Sequence, residues 1–168
     1  MQAYEGKAKL LTPRSETEIE VRFKNDATAF NGKKHAQFEG KGALNSLITE
    51  KLMTFLESRG VKTQHLGRLD EVTLLARRVT IIPLEAIARF RVAGSLEKRT
   101  GLPYGHRCDP PVIEFYYKDD ALGDPMLNDA HIALLNLADD DTVASLRAMT
   151  RSIAVELESL FARGEMDL

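Results

Sequence analysis

The chain holds a single cysteine, Cys108, among its 168 residues. An internal disulfide is therefore excluded, and Cys108, beside Asp109-Pro110-Pro111, reads as a loop or packing residue rather than a nucleophile. With one cysteine and with His35, His65, His106 and His131 dispersed, no zinc-ligand spacing arises, and no metal-ligating residue is expected. No apolar run approaches the length of a membrane helix, and the N-terminus has no apolar signal-peptide core, so the expected location is the cytoplasm with no membrane partner. Lys and Arg number 23 against 25 Asp and Glu, a net charge of −2, and the basic residues are scattered. Nucleic-acid binding thus lacks electrostatic support and is not expected. Internal repeats, Pro-rich linkers, blocks of like charge, Walker and Rossmann glycine fingerprints and a GxSxG nucleophile are likewise missing.

What is present is the composition of a globular domain, 43% hydrophobic and 29% charged. A chain of this size buries roughly 70% of its unfolded surface without covalent staples. Ile19, Val21 and Phe23 alternate with Glu20, Arg22 and Lys24, the period of a strand with one buried face, and Tyr4 to Leu11 is its expected hairpin partner. From Lys41 to Arg59, Leu44, Leu47, Ile48, Leu52, Phe55 and Leu56 fall at helical spacing, and Gly60 supplies a left-handed stop. Glu71 to Val92 is rich in Val, Ile and Leu and is interrupted by Pro83, which predicts two strands or a strand, a connector and a further element. Asp141 or Thr142 is the expected cap of a last helix, whose stripe of Val143, Leu146, Met149, Ile153, Leu157, Leu160 and Phe161 ends before Gly164.

Several clusters carry chemistry. Lys7 and Lys9 stand two apart in Gly6-Lys7-Ala8-Lys9, so on a strand both ammonium groups would project from one face toward phosphate oxygens, or simply into water. Gly32-Lys33-Lys34 and Gly40-Lys41-Gly42 add glycines that let backbone approach an anion, the second at a helix start. Arg89, Arg91 and Gly94-Ser95 combine two guanidinium groups, a turn and a hydroxyl, which suits a phosphate monoester and equally a surface strand and turn. Lys118-Asp119-Asp120 and Gly123-Asp124-Pro125 gather carboxylates around a lysine, which suits Mg²⁺ or polar substrate groups, or capping and turn formation.

The order and spacing of these segments resemble the SAICAR synthetase family. The resemblance is carried by Tyr4-Glu5-Gly6-Lys7-Ala8-Lys9, Asn25-Asp26-Ala27-Thr28-Ala29-Phe30-Asn31-Gly32, Gly40-Lys41-Gly42 and Ile82-Pro83-Leu84-Glu85. It continues through Ala93-Gly94-Ser95-Leu96-Glu97-Lys98-Arg99 and the Lys118 to Pro125 segment. It implies a ligase that uses ATP and Mg²⁺ to join L-aspartate to the carboxylate of CAIR, giving SAICAR, ADP and phosphate through an acyl phosphate, in purine biosynthesis. It implies an α+β fold, with an N-terminal antiparallel sheet like a kinase small lobe over 1–81 for nucleotide, and a second α+β lobe over 82–168 for substrate.

Carried over by position, the resemblance places Lys7 and Lys9 on ATP phosphates and Ile81 at adenine. Glu85, Arg89 and Ser95 would bind the ribonucleotide, Arg89 and Ser95 at its phosphate, with Lys118 and Asp124 as catalytic residues and the Gly40–Gly42 segment closing over the site. The chain departs from the family pattern at Phe90, where Asn is usual, at Asn45-Ser46 for an Asn pair, and at Arg77-Arg78 for a lysine pair. It also covers only the first part of the family's length, without the usual C-terminal third and its carboxylates. The resemblance therefore implies a homo-oligomer or a separate C-terminal piece, and an apolar patch along the last helix that favours self-association. The alternatives are a non-catalytic nucleotide-binding subunit or split half, and a paralogous ligase of a related nucleotide.

Overall fold

The computed structural model describes residues 2–29 and 34–167. The chain divides into two compact units, Met1–Thr80 and Ile81–Leu168. Both are built from antiparallel sheet with helix packed on it, an α+β architecture.

The first unit contains β1 (Tyr4–Glu5), β2 (Lys9–Pro13), β3 (Glu18–Phe23), β4 (Asp26–Ala29), β5 (Lys34–Gln37), α1 (Lys41–Ser58), β6 (His65–Arg68) and β7 (Thr73–Arg77). Five of these strands form one sheet in the order β1-β2-β3-β7-β6, and β4 and β5 pair with each other. The alternation in β3 has the expected consequence: Phe23 is buried, as are Leu74 and Ala76 of the neighbouring β7. The expected partner strand over Tyr4 to Leu11 is instead two strands. Residues 6–8 turn the chain back on itself, so that Tyr4 opposes Leu11 while Leu11 in turn opposes Val21.

Helix α1 starts at Lys41, and Gly60 beyond its end adopts φ +81°, a conformation that costs glycine no Cβ clash. The second half of the expected stripe holds, with Leu56 buried and Leu52 and Phe55 half-buried, but at the start of the helix Gly42 and Ser46 are buried while Leu44, Leu47 and Ile48 are exposed. The cause is close approach. A Cβ at Gly42 would lie 2.7 Å from the Phe23 carbonyl oxygen, so only small residues fit at this end of the helix and the large apolar ones turn outward.

The second unit contains β8 (Leu84–Arg91), α2 (Ser95–Thr100), β9 (Arg107–Tyr117), a 3₁₀ turn (Asp120–Leu122), β10 (Met126–Leu127), α3 (Asp129–Leu134) and α4 (Asp140–Ala162). The strands form an antiparallel sheet in the order β10-β9-β8. Pro83 thus ends a connector and introduces β8, where its missing N–H disturbs no ladder. The core is Phe115, Ile132 and Val143, with Leu84, Leu127, Leu137, Ala138 and Leu146 packed around it. Burying each of the three central side chains contributes about 1.5–3 kcal/mol of transfer free energy.

The cap of α4 lies two residues before the earlier of the expected positions. Asp139 accepts the Thr142 amide at 2.8 Å, and Asp140 and Asp141 occupy the first turn, where the helix dipole favours carboxylates. In the stripe of α4, Val143 is buried and Met149 is 48% exposed. The helix ends at Ala162, before Gly164 as expected, and the positive φ beyond it falls on Glu165. Among the described residues no helix is long and apolar enough to cross a membrane.

Candidate functional site

The sheet of the second unit has one apolar face and one polar face, and the register shows which is which. Leu84 and Phe115 lie on the core side. The intervening residues of β8, namely Glu85, Ile87 and Arg89, stand opposite Tyr116, Glu114 and Val112 of β9. Because directly opposed residues share a face, Glu85, Arg89, Glu114 and Tyr116 are displayed together on the side away from the core. Of the six expected ligand contacts, Arg89 and, from the adjoining α2, Ser95 thus meet, and Glu85 stands on the same face four residues back along β8.

Arg89 is fixed on this face by two bonds. Its Nε donates to Glu114 Oε2 at 2.8 Å and its Nη2 donates to Ser95 Oγ at 3.2 Å. A guanidinium has five N–H donors, and these bonds use two of them. Gly94, at φ +55°, makes the turn that carries Ser95 back to Arg89. Arg91 does not join the cluster, contrary to the expected pair of guanidinium groups. A bulge interrupts the β8–β9 register between Arg89 and Arg91. Arg91 consequently bonds Asp167 at 3.0 Å and the Gly105 carbonyl oxygen at 3.4 Å.

Glu114 escaped the sequence reading altogether. Its side chain is only 8% exposed, and its Oε1 accepts from Arg99 Nη2 at 2.5 Å while its Oε2 accepts from Arg89 and, at 3.1 Å, from the Tyr116 hydroxyl. Burial alone would raise its pKa, but the hydrogen bonds from Arg89, Arg99 and Tyr116 outweigh it and hold the carboxyl below its ordinary value. Burial alone would lower the pKa of Arg89, but Glu114 and Tyr116 together outweigh it and the pKa is raised. Arg99 also donates from Nε to the Ser95 carbonyl oxygen at 3.2 Å, which ties α2 to the same cluster. The only signal for Glu114 in the sequence is a carboxylate inside the apolar and aromatic run Val112–Tyr117.

Lys118, at the end of β9, lies 3.9 Å from Glu85, and both side chains are about half exposed. Lys118 begins the loop that carries the aspartates. Asp119 caps the 3₁₀ turn, accepting the Ala121 and Leu122 amides at 3.0 and 3.2 Å. Asp124, at φ 48°, accepts the Asp119 amide at 2.9 Å through Oδ1. Turn formation therefore explains Asp119, and it occupies one of the two oxygens of the exposed Asp124. Phe90, flagged as a departure from the family pattern, is buried with the Arg107 guanidinium 5.1 Å from its ring centre, not on the polar face.

In the first unit the expected lysine geometry is different. Lys7 lies in the bend between β1 and β2 and Lys9 opens β2, so the two do not share a strand face; both are exposed. Lys9 Nζ stands 5.0 Å from the centre of the Phe23 ring. The glycine segment before α1 is bound to its own unit rather than held open for an anion. The Gly42 amide donates to Asn25 Oδ1 at 2.9 Å, and Lys41 Nζ donates to the Asp26 carbonyl oxygen at 3.0 Å. Lys24 bridges Glu5 and Asp26 at 2.7 and 2.8 Å, which raises the pKa of Lys24 and, chiefly through that hydrogen bond, lowers that of Asp26. Of the other expected anion segment, Gly32 and Lys33 lie outside the described residues. Ile81, on the connector before β8, is 68% exposed.

Among the described residues no three His, Cys, Asp or Glu side chains come together in a way that would hold a metal ion. A groove of about 830 Å³ runs along α4, lined by Asp129, Val143, Arg147, Arg151 and Val155 among others, and includes none of the expected site residues.

The family model described as SAICAR synthetase matches residues 2–168. The chain is 43% identical over 159 residues to the phosphoribosylaminoimidazole-succinocarboxamide synthase of Bacillus subtilis, an alignment covering 94% of this chain and 66% of the relative. It is 45% identical over 166 residues to that of Anoxybacillus flavithermus, covering 98% and 69%. The chain thus spans about two thirds of the length of the curated relatives it matches. A solved SAICAR synthetase (type 2) in complex with ADP superposes with a TM-score of 0.92 at 37% identity, over 96% of this chain and 69% of that one. The Pyrococcus horikoshii SAICAR synthetase superposes with a TM-score of 0.90 at 36% identity, over 93% and 69%. The Saccharomyces cerevisiae enzyme, 16% identical with a TM-score of 0.78, shares the fold.

Proposed function

The chain belongs to the SAICAR synthetase family, and from that premise we propose that it carries the nucleotide and ribonucleotide sites of an ATP-dependent ligase joining L-aspartate to the carboxylate of CAIR. The observation that carries the proposal is the meeting of Arg89 and Ser95 at 3.2 Å on the sheet face that also displays Glu85 and Lys118. A guanidinium with unused donors beside a hydroxyl is a receptor for a phosphate monoester, the one group every ribonucleotide presents.

The chemistry sets what the remaining residues must do. A carboxylate is a poor electrophile, so its oxygen first takes the γ-phosphoryl group of ATP and ADP leaves. The aspartate amine then attacks the carbonyl carbon, the C–N bond forms, the C–O bond to phosphate breaks, and the amine gives up a proton as inorganic phosphate departs. Catalysis of this kind is mostly positioning and charge neutralisation. In this reading Lys118 offsets the negative charge at the reacting carboxylate, and Asp124 attracts the incoming amine. Glu85, within reach of Lys118, binds the ribonucleotide with Arg89 and Ser95. Lys7 and Lys9 take the ATP phosphates and Ile81 the adenine; the ADP complex of a family member supports a nucleotide at this fold. The described residues offer no metal-ligand set of their own, so no step is assigned to Mg²⁺.

The test is ADP release with Mg²⁺-ATP, CAIR and L-aspartate, each omitted in turn, by the purified chain supplemented with the C-terminal third that its relatives carry. Turnover requiring all three is the expected result. ATP or CAIR binding with no turnover would replace the ligase by a nucleotide-binding subunit, and turnover with another ribonucleotide but not CAIR would make it a paralogous ligase.

A further inference from the structure

We propose that Glu114 is a positioning residue, which together with Arg99 and Tyr116 holds the Arg89 guanidinium in the orientation that receives a phosphate monoester. The proposal rests on the assignment of Arg89 and Ser95 to phosphate made above. Three observations lead to it. First, Glu114 is a carboxylate buried to about nine tenths, and such a group persists only where its oxygens are paired. Both are: Arg99 at Oε1, Arg89 and Tyr116 at Oε2.

Second, Glu114 takes Arg89 by Nε, not by the outer edge of the guanidinium. The bond fixes the plane of the group while the terminal nitrogens stay available, one of them beside Ser95 Oγ. An arginine free to rotate would have to lose that freedom when phosphate binds; one already held loses less, and the difference appears as affinity. Third, the charges sum in favour of an anion. Arg89 and Arg99 against one carboxylate leave a net positive cluster, so Glu114 orders the arginine without cancelling the field. Arg99 completes the brace by donating from Nε to the Ser95 carbonyl oxygen, so one network sets both the guanidinium and the residue that bears the hydroxyl.

Ribose 5-phosphate titrated into the 168-residue chain is the probe, with affinity from calorimetry and the Arg89 Nε–H followed by ¹H–¹⁵N spectroscopy. The native chain should show a slowly exchanging Arg89 Nε–H, and Arg89→Ala should abolish binding. Glu114→Gln, with its far-ultraviolet circular dichroism unchanged, should lose the protected Nε–H and weaken binding on the order of ten-fold, the effect of one charge-assisted hydrogen bond. Tyr116→Phe, which disturbs packing least, should weaken it about two- to three-fold, less than Glu114→Gln, because the bond it removes acts on Arg89 only through Glu114. Loss of binding in Arg89→Ala but undiminished or tighter binding in Glu114→Gln would overturn the proposal, since the carboxylate would then only repel phosphate. Undiminished binding in Arg89→Ala would overturn the phosphate assignment itself. Should Glu114→Gln not fold, an unprotected Arg89 Nε–H in the native chain, or unchanged affinity in Tyr116→Phe, would decide against the brace.

Discussion

Replacing Gly42 by alanine sets two effects of opposite sign against each other. Alanine is favoured over glycine inside a helix by up to about 1 kcal/mol, because glycine loses more backbone entropy. The new Cβ, however, would sit 2.7 Å from the Phe23 carbonyl oxygen and 3.2 Å from Asn25 Oδ1. The first neighbour is backbone of a paired strand and cannot swing away, so α1 or β3 must move by several tenths of an ångström. Overpacking of this kind costs about 1–3 kcal/mol. The same displacement lengthens the bond from the Gly42 amide to Asn25 Oδ1, now 2.9 Å, at about 1 kcal/mol more. Steric cost wins, and Gly42→Ala should destabilise the first unit by about 1–3 kcal/mol net. Urea denaturation followed by circular dichroism at the helix band, with hydrogen exchange across residues 41–58, measures it. A variant as stable as the native chain but with weakened ATP binding would refute the reasoning, because Gly42 would then serve an anion and not the contact between helix and strand.

Three further outcomes follow from the same reading. Ser46 is wholly buried and its hydroxyl finds no hydrogen-bond partner among the described residues, so Ser46→Ala should raise the urea midpoint, by up to about 1–3 kcal/mol in stability. Phe90→Asn, which restores the family's usual residue, should cost about 3–5 kcal/mol by leaving a cavity and burying an amide, and should leave ribose 5-phosphate affinity in the still-folded fraction unchanged. The carboxyl of Glu114 is depressed in the folded chain below its ordinary 4.5, so its stabilisation is present above pH 4.5 and is lost as pH falls through the lower folded value. Urea midpoints of the native chain and Glu114→Gln should therefore differ at neutral pH and converge below pH 4.5.

Local pattern carried much of the architecture. The strand over Glu18–Phe23, the helix from Lys41 with its glycine beyond, the strand that begins after Pro83 and the long last helix all rest on interactions between near neighbours along the chain, where periodicity and backbone preference act directly. The order of short motifs was enough to reach the family. Tertiary structure decided what those residues do for one another. A turn over residues 6–8 separated Lys7 from the face of Lys9, since period-two reasoning holds only while a strand continues.

The bulge after Arg89 sent Arg91 to Asp167, and nothing in the spacing of two arginines announces a change of register. The close approach of α1 to β3 put small residues, Gly42 and Ser46, on the buried side at the start of the helix, while Leu56 of the expected stripe is buried near its end. Glu114 reaches Arg89 across 25 positions of sequence, and a buried carboxylate has meaning only through the partners the fold brings to it. The sequence by itself therefore determined the long helices, several strands and the family; the pairing across β8 and β9 determined which charges meet, because that pairing is a property of two strands together and of neither alone.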